Sequence, residues 1–346
     1  MERKIASVQR VLALEPISGA DAIELVRIQG WQTVAKKNEF AVGDLGVFLE
    51  IDAIPPDTPA FRFLWTPKTA VPGEAVERPA KFRLRTMRLR GALSQGLFLP
   101  LAALELDGAN LREGDDVTAQ LGVQKYEPPV SAAMGGLARG PFPAWLPKTD
   151  EMRVQSAPGA LDELRGLPYV CTLKCDGTSA TYTLSPFDGE LHVASRNLSL
   201  ADGDNVYWKL VRELGIEAAL RENAGVAVQG EICGPGIQSN RLGLKKPALL
   251  VFNVYDVPNA RYLNDAQMRA FCQRTGLTPV EVVETGETFA HTQDSLLALA
   301  EGFYPNTKNE REGIVVRPQD ERFSPTLGGR LSFKAISNRF LLKGGE

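Results

Sequence analysis

The sequence has few of the residues that build metal sites and disulfides. It contains four cysteines and two histidines among 346 residues, and their spacing is not that of zinc ligands. It also lacks an uncharged apolar run of about 18 residues, the length that a membrane-spanning helix needs. The N-terminal residues MERKIASVQR contain no apolar segment of a signal peptide. We therefore expect no zinc site, no membrane span and no export, and the scarcity of cysteine favours the reducing cytoplasm.

Length and composition are typical of a globular protein with two domains. Hydrophobic residues make up 44% of the chain and charged residues 23%, with a net charge of −3, and the length suffices for two cores. In roughly the first 120 residues, short alternating segments separated by glycine and proline turns predict strands. Strands of this number and length indicate a small barrel, and an OB-like barrel is the common one that binds nucleic acid. The predicted strands are 4–14, 23–28, 31–35, 46–51, 81–89, 96–99 and 116–118.

The second half of the chain mixes strands with helices. The segment 127–147 is rich in proline and glycine, which predicts a linker between a first domain over 1–126 and a second over 148–346. Because regular βαβ alternation is missing, we expect an α+β fold with a mostly antiparallel sheet. One helix over 205–221, capped by Asp204, is predicted from its apolar spacing. Further predicted helices are 265–274 and 295–302, and predicted strands are 226–232, 249–256, 313–317 and 331–335.

A run of basic residues lies in the predicted barrel. Between positions 78 and 90 there are six basic residues and no acidic one. The alternation places Lys81, Arg83 and Arg85 on one face of a strand, and an intervening bulge would bring Arg88 and Arg90 to the same face. An exposed polar sheet face is the alternative, but such faces usually mix signs. A stripe of one sign favours a polyanion, so we predict that these five residues contact nucleic acid.

Six short motifs follow one another in the second domain. The first, KCDG (174–177), comes directly after the apolar run 167–173, where a plain strand end with an Asp-Gly hairpin turn and a solvated lysine is the alternative. Each motif alone is weak, since such residues also occur in turns, cores and solvated strand ends. In this order they resemble the covalent nucleotidyltransferases, the superfamily of polynucleotide ligases and RNA-capping enzymes. The other five are SRN (195–197), VQGEI (228–232), LVFNVYD (250–256), REGIVVR (311–317) and SFK (332–334).

The chemistry of this superfamily explains the residue types. A lysine attacks the α-phosphorus of a nucleoside triphosphate only as a neutral amine, so its ordinary pKa of about 10.4 must be lowered by burial or a nearby cation. Lys174 is the expected nucleophile, and Lys334 would place a cation near the α-phosphate. Asp176, Glu231 and Glu312 offer hard oxygen ligands suited to Mg²⁺ or Mn²⁺, held partly through water.

The resemblance also implies a nucleotide pocket. Phe252 supplies a face for base stacking, and by resemblance it forms a sandwich around adenine with Val315. Gly177 and Gly313 would let backbone approach the nucleotide without a Cβ in the way. Arg196 and Glu231 match the residues that contact the ribose. The nucleotide-binding residues expected in all are Leu173, Arg196, Glu231, Phe252, Glu312 and Val315.

The front of the chain narrows the resemblance to RNA ligases. The segments ISGADAI (17–23), WQTV (31–34), EFAVGD (39–44) and LRGALSQGL (89–97) look like the front domain of Deinococcus-type, nick-sealing RNA ligases. The sequence also ends 12 residues after Lys334, so we expect it to lack the additional OB domain that DNA ligases and capping enzymes carry at this place. The implied fold is an OB-like barrel followed by an antiparallel-sheet nucleotidyltransferase domain, ATP-grasp-like in class.

The implied activity is ATP-dependent ligation for RNA repair. It needs ATP and a divalent cation, Mg²⁺ or Mn²⁺, and proceeds through lysyl-AMP and an adenylylated 5′-phosphate. The implied partner is a nicked duplex with RNA at the 3′-OH side, with no membrane and no protein partner. The alternatives are a capping-type guanylyltransferase that uses GTP, a DNA ligase, and a non-catalytic nucleic-acid-binding protein on a degenerate transferase fold. Degeneration is disfavoured because the lysine, arginine and glutamates of the motifs are all present.

Several basic residues have two interpretations each. The last motif is often Lys-x-Lys in relatives but reads Lys334-Ala-Ile336 here, so the second lysine's role falls to Arg339, to Lys343 or to nothing. Arg317 either binds phosphate or ends a strand in solvent.

Two further pairs of basic residues are open in the same way. Lys148 and Arg153 either contact triphosphate or nucleic acid, or begin an exposed helix. Lys36 and Lys37 either extend the basic face of the barrel or form an ordinary hairpin tip.

Overall fold

The computed structural model describes residues 3–67, 69, 76–127 and 137–344. Their contacts separate into two compact units, Met1–Pro128 and Pro129–Gly345. The proline-rich segment predicted as a linker includes 128–136, which lie outside the described residues. In the part of the chain that the structure describes, no helix is long and apolar enough to cross a membrane.

The first unit is built from short antiparallel strands, as its alternating sequence predicts. Apolar residues that alternate along these strands, such as Val8, Val47 and Leu49, are buried in a core with Phe61 and Val117. The strands are β1 (Ala6–Arg10), β2 (Ala13–Pro16), β3 (Ile23–Ile28), β4 (Trp31–Lys36), β5 (Leu45–Leu49), β6 (Ala53–Ile54), β7 (Met87–Leu89), β8 (Ala92–Ser94), β9 (Leu97–Pro100) and β10 (Gln124–Lys125). They form the sheets β1-β5-β9 and β2-β3-β4 and the pairs β6-β10 and β7-β8.

Three strand predictions in this unit are only partly right, and the one over 116–118 is reduced to an isolated bridge between Ser7 and Asp116. The predicted strand 4–14 is two strands, because Val11 and Leu12 turn the chain: their N–H groups donate to the carbonyls of Asp44 and Arg27. The predicted strand 81–89 is reduced to β7, which pairs with β8. Residues 81–86 are outside any strand. Leu84 forms backbone hydrogen bonds with Asp52 and Ala53, but no continuous ladder forms over this segment.

The second unit contains the remaining strands and the α-helices. Its strands are β11 (Ala138–Pro141), β12 (Met152–Arg153), β13 (Tyr169–Lys174), β14 (Thr178–Leu184), β15 (Leu191–Ala194), β16 (Leu198–Leu200), β17 (Val226–Cys233), β18 (Ala248–Asp256), β19 (Arg261–Tyr262), β20 (Thr278–Pro279), β21 (Val282–Gly286), β22 (Gly313–Pro318), β23 (Phe323–Ser324), β24 (Gly329–Arg330) and β25 (Phe333–Ile336). Its helices are α1 (Gly159–Leu164), α2 (Val206–Leu214), α3 (Ile216–Glu222), α4 (Asp265–Thr275), α5 (Gln293–Ala300) and α6 (Asn338–Leu342).

The helix boundaries follow local capping chemistry. Helix α4 begins with a capping box in which Asn264 and Gln267 exchange side-chain to backbone hydrogen bonds. The single helix predicted over 205–221 is wrong: Gly215 takes a left-handed conformation (φ 62°) and separates α2 from α3. The predicted cap Asp204 is also wrong, because the Asn205 side chain accepts from the first free N–H groups of α2.

Two sheets organise the second unit. One has the order β12-β25-β22-β13-β21, and the other has the order β11-β16-β15-β14-β17-β18-β19, with β20 beside β18. The ladders β12-β25 and β18-β20 are parallel, and the others in the described residues are antiparallel, which confirms the predicted α+β class. Strand β11 lies within the segment expected to be a linker.

Each sheet has its own apolar core, and a third cluster lies next to the end of β13. Helices α2, α3 and α4 cover the longer sheet, and α1 and α5 pack on the other. The third cluster comprises Leu173, Cys175, Cys233, Val280 and Tyr304. It is the part of the core that supports the site described next.

Candidate active site

The predicted nucleophile lies at the end of a buried strand. Strand β13 is buried up to Leu173, while the Lys174 side chain keeps 24% of its surface exposed. The chain then passes through Asp176 and Gly177 into β14, which belongs to the other sheet. The hairpin alternative is therefore wrong: β13 pairs with β21 and β22, whereas β14 pairs with β15 and β17.

A short ion pair joins the first and fifth motifs. Lys174 Nζ lies 2.6 Å from Glu312 Oε1, and the Glu312 side chain is only 6% exposed. The β13-β22 register, which pairs Lys174 with Gly313, sets this contact. A carboxylate so poorly solvated is held by its cationic partner. The structure thus places the lysine amine beside an acidic group at the exposed end of the strand.

The second glutamate belongs to the same electrostatic neighbourhood. Burial raises the pKa of Glu231 on β17 to about 8. That value already includes the neighbouring charges: Lys174 and Arg196 lower the pKa, while Glu312 and Asp176 raise it. Four charged residues from three other motifs therefore act on the Glu231 carboxyl in the folded protein.

The three predicted metal ligands do not form a preformed coordination site. Asp176 Oδ2 lies 3.2 Å from Arg241 Nε, and Glu312 is paired with Lys174. Among the described residues, no three His, Cys, Asp or Glu side chains are arranged to hold a metal ion. The donors are nevertheless carboxylate oxygens, which suit Mg²⁺ or Mn²⁺ when the ion keeps several waters. The site fits a hydrated cation better than one enclosed by protein.

The predicted base-binding residues lie on strands of the two different sheets. Phe252 on β18 is half-buried and packs against the cluster that contains Leu173. Val315 on β22 is buried, and it pairs with Thr172 of β13 and Lys334 of β25. The sandwich of adenine between Phe252 and Val315 stays a prediction.

Arg317 is a buried residue that is hydrogen-bonded to the backbone of Phe252. It is only 6% exposed, so the interpretation as a solvated strand end is wrong. Its guanidinium donates to Ser332 Oγ at 2.9 Å, to the Phe252 carbonyl at 2.8 Å and to Glu151 Oε1 at 3.1 Å. These contacts tie the fifth and sixth motifs to the backbone of Phe252.

The segment before the nucleophile contacts the second motif. Arg196 is paired with Asp150 at 2.7 Å, and Lys148 Nζ donates to Asn197 Oδ1 at 3.2 Å. Both contacts are exposed, so a bound ligand has access to Arg196 and Lys148. Neither the predicted ribose contact nor the predicted phosphate contact is tested by this geometry.

The last motif lies on β25. Lys334 pairs with Val315 of β22 and, in parallel, with Arg153 of β12. Arg153 is buried within a strand, so the interpretation as the start of an exposed helix is wrong for this residue.

The two candidates for the missing second lysine make surface contacts. Arg339 is paired with Glu301 at 3.0 Å, and Lys343 is paired with Glu310 at 3.0 Å. Both basic side chains are more than half exposed. Their assignment to the final step of the reaction stays a prediction.

The two motif glycines are required by neighbouring protein strands. A Cβ at Gly177 would lie 2.4 Å from the Ile232 carbonyl oxygen, and one at Gly313 would lie 2.2 Å from the Ala335 carbonyl oxygen. The expectation from sequence was close approach to a nucleotide. The structure gives a second reason, which is the close approach of β17 to Gly177 and of β25 to Gly313, and the approach to a nucleotide stays a prediction.

The basic stripe of the first unit is exposed except at one position. Arg83 forms an ion pair with Asp52 at 3.6 Å and lies over the Tyr126 ring at 4.0 Å, with only 8% of its side chain exposed. The strand that was to align the stripe is absent over 81–86, so the single-face argument is wrong there. The exposed residues, which stay predicted nucleic-acid contacts, are Lys81, Arg85, Arg88 and Arg90, and Lys36 and Lys37 are exposed as well.

Sequence reasoning missed two residues that border the lysine turn. Arg241 contacts Asp176 as described, and the Tyr304 hydroxyl is hydrogen-bonded to the backbone of residues 174, 176 and 312. Tyr304 is 130 positions from Lys174 and belongs to no motif, so only the tertiary fold reveals its position.

Comparison with protein families defines the class. Residues 5–101 match an OB-fold domain, and residues 167–336 match RNA ligase. An OB fold in front of a ligase domain is the architecture predicted from the motifs, and that prediction is confirmed.

Comparison with solved structures identifies a specific RNA ligase that this chain resembles. The Naegleria gruberi RNA ligase with PPi aligns with a TM-score of 0.86 and 35% identity over 98% of both chains. Mutants of the same ligase, one with AMP and Mn and one with ATP and Mn, align with the same values. Among curated proteins, none matches this chain. The chain belongs to the RNA ligase family.

Proposed function

We propose that this protein is an ATP-dependent RNA ligase in which Lys174 becomes covalently adenylylated. The observation that carries the proposal is the 2.6 Å contact between Lys174 Nζ and Glu312 Oε1 at the exposed end of β13. Family membership supports RNA as a substrate. The Naegleria structures with ATP and Mn support ATP and a divalent cation, Mg²⁺ or Mn²⁺, as requirements here.

In the first step, Lys174 Nζ attacks the α-phosphorus of ATP. A phosphorus–nitrogen bond forms, the bond to the departing pyrophosphate breaks, and lysyl-AMP results. Because the amine attacks only when neutral, the ammonium held by Glu312 must first lose a proton, and its exposed fraction gives that proton a route to solvent. A divalent cation near Asp176, Glu231 and Glu312 would offset the negative charge on the phosphate oxygens.

Two further displacements complete ligation. An oxygen of the RNA 5′-phosphate attacks the AMP phosphorus and releases the Lys174 amine. The 3′-OH then attacks the adenylylated 5′-phosphate and releases AMP. In this scheme Lys334 stabilises the α-phosphate, Arg196 contacts the ribose, and Phe252 stacks on adenine.

The test of the first step is covalent labelling. The protein is incubated with Mg²⁺ or Mn²⁺ and α-labelled ATP, in parallel with α-labelled GTP, and separated on a denaturing gel. We expect label from ATP only, lost in Lys174→Ala and in Lys174→Arg, the latter a control that keeps a positive charge beside Glu312. Label from GTP would instead indicate a guanylyltransferase, and no label from folded protein would refute the mechanism.

The substrate is proposed to be a nicked duplex with RNA at the 3′-OH side, as in RNA repair. The assay compares sealing of nicks whose 3′-OH strand ends in ribonucleotides with nicks that end in deoxyribonucleotides. We expect sealing of the RNA-ended nick alone. Such a preference would show that the protein contacts the 2′-OH, the group that distinguishes the two sugars. Equal sealing of both would indicate a DNA ligase or a ligase without sugar preference.

The exposed basic residues of the first unit are proposed to contact the duplex phosphates. Replacing Arg85 and Arg88 by Ala should weaken binding and lower the slope of log K against log salt by up to about 2, roughly 0.9 for each lost phosphate contact. The Lys36→Ala, Lys37→Ala double variant tests in the same way whether the hairpin tip shares this surface. An unchanged slope for the Arg85 and Arg88 variant would make the stripe an ordinary solvated surface.

A further inference from the structure

The hydroxyl of Tyr304 joins the two residues of the reactive ion pair through their backbones. It donates to the Lys174 carbonyl at 3.1 Å. It accepts from the Asp176 N–H at 2.9 Å and from the Glu312 N–H at 3.2 Å. One side-chain atom therefore contacts the strand end that carries the nucleophile, the turn after it, and the residue before β22.

The Tyr304 side chain is itself firmly placed. The residue is 1% exposed and packs in the cluster with Leu173, Cys175 and Val280. Its own N–H donates to the Asn309 carbonyl at 2.9 Å. Burial raises the pKa of the Tyr304 hydroxyl, so the proton that it donates stays in place across the physiological range.

The position of this hydroxyl matters because Lys174 and Glu312 enter the site from different segments. The β13-β22 ladder pairs Lys174 with Gly313 at its very end, and beyond that pair the chains diverge, one into the Asp176 turn and the other into the loop before β22. The three hydrogen bonds of Tyr304 cross this point of divergence. Geometry at a reacting group is sensitive there, since misplacement by about 1 Å costs up to about a hundredfold in rate.

We propose that Tyr304 is a positioning residue for lysine adenylylation: it fixes the Lys174 turn against Glu312 and so sets the orientation from which the amine attacks. This inference rests on the proposed function of Lys174. Tyr304 acts through the backbone and is not itself a group that contacts the reacting atoms.

The experiment compares Tyr304→Phe with a matched control, Tyr182→Phe. Tyr182 is also fully buried, and its hydroxyl donates to the Tyr207 carbonyl in the core of the other sheet. Lysyl-AMP formation is followed in single turnovers over a range of ATP concentrations, which separates the maximal rate from half-saturation. Thermal unfolding of each variant measures how much a lost buried hydroxyl affects the fold.

We expect Tyr304→Phe to lower the maximal rate by about ten- to a hundredfold with less than about a threefold change in half-saturating ATP. Tyr182→Phe should keep the wild-type rate although it unfolds at a similarly reduced temperature. The pH profile of the rate should also change in Tyr304→Phe alone, because the Lys174–Glu312 contact that it reports is displaced.

A wild-type rate and pH profile in folded Tyr304→Phe would overturn the inference. Equal rate losses in both Tyr variants would overturn it too, since the role would then be structural. If Tyr304→Phe does not fold, Thr307→Val decides: it removes the Oγ1 donor to the Tyr304 carbonyl, 2.9 Å away, and should lower the maximal rate in the same direction. A wild-type rate in that variant counts against the inference. The outcomes separate this inference from the proposed function. If the wild type takes no label, the proposed function is refuted. If the wild type is labelled and the variants are unaffected, only the inference about Tyr304 is refuted.

Discussion

Gly313→Ala is the sharpest test of how sheet packing sets the site. A Cβ at this position would lie 2.2 Å from the Ala335 carbonyl oxygen and 3.0 Å from Ile336 Cα. Both are backbone atoms of β25, so no side-chain rotation relieves the overlap. Because carbon and oxygen normally approach to about 3.3 Å, β22 and β25 must separate locally by about 1 Å.

The displacement falls directly on the reactive pair. Gly313 is paired with Lys174 and follows Glu312 in the chain, so a shift of β22 moves the carboxylate relative to the amine. Overpacking of this kind costs about 1–3 kcal/mol of unfolding free energy. A misplacement of about 1 Å at a reacting group lowers the rate by up to about a hundredfold. We therefore expect a moderate loss of stability and a much larger loss of lysyl-AMP formation.

The assay combines single-turnover labelling from α-labelled ATP with urea unfolding. Gly329→Ala is the matched control, because a Cβ there meets no atom within 4 Å and its φ is not left-handed. The control should keep wild-type stability and rate. A wild-type labelling rate in Gly313→Ala would refute the reasoning, as would an equal loss in Gly329→Ala.

Three further predictions follow from single contacts. The pKa of Glu231 is raised from 4.5 to about 8 in the folded protein, so the stability that the protonated form supplies is lost as the pH rises through that range. The free energy of unfolding should fall by at most about 1.4 kcal/mol per pH unit. Glu231→Gln should reduce this pH dependence, as measured by urea unfolding from about pH 5 to about pH 8. Arg317→Lys keeps the charge but not the fork that serves three acceptors, so half-saturating ATP should rise by about tenfold as Phe252 loses its support. Asn264→Ala removes the capping box of α4 and should cost about 1 kcal/mol in urea unfolding without changing the labelling rate.

Each of these has a distinct contrary result. A pH slope that persists in Glu231→Gln would show that another group carries the titration. Unchanged ATP saturation in folded Arg317→Lys would separate the guanidinium from the base pocket. Asn264→Ala also serves as a stability control for Arg317→Lys, since a loss of ATP binding in both would trace the effect to stability rather than to Phe252.

The sequence alone determined the order of the motifs and the elements that carry them. Strands β17, β18 and β22 were predicted nearly to their ends, because apolar, β-branched runs bounded by turn residues are a local signal. The resemblance of the motifs selected Lys174, Glu231 and Glu312, and the fold brings these three into one neighbourhood. Local patterns also erred in a consistent way: the alternation over 81–86 formed no strand, since a strand needs a partner that alternation does not supply.

The tertiary structure decided which distant groups meet. The turn after Lys174 leads into a different sheet and does not form a hairpin. The buried Arg317 side chain donates to the Phe252 carbonyl, and Arg83 forms an ion pair with Asp52. Tyr304 has no signal in its own segment, because its role depends on hydrogen bonds to residues up to 130 positions away. Periodicity and capping are properties of neighbouring residues, whereas these contacts arise from strand register and from the requirement that buried polar groups find partners. The sequence therefore predicted the residue types of the site. It did not predict the distances between these residues or the buried contacts that hold them in place.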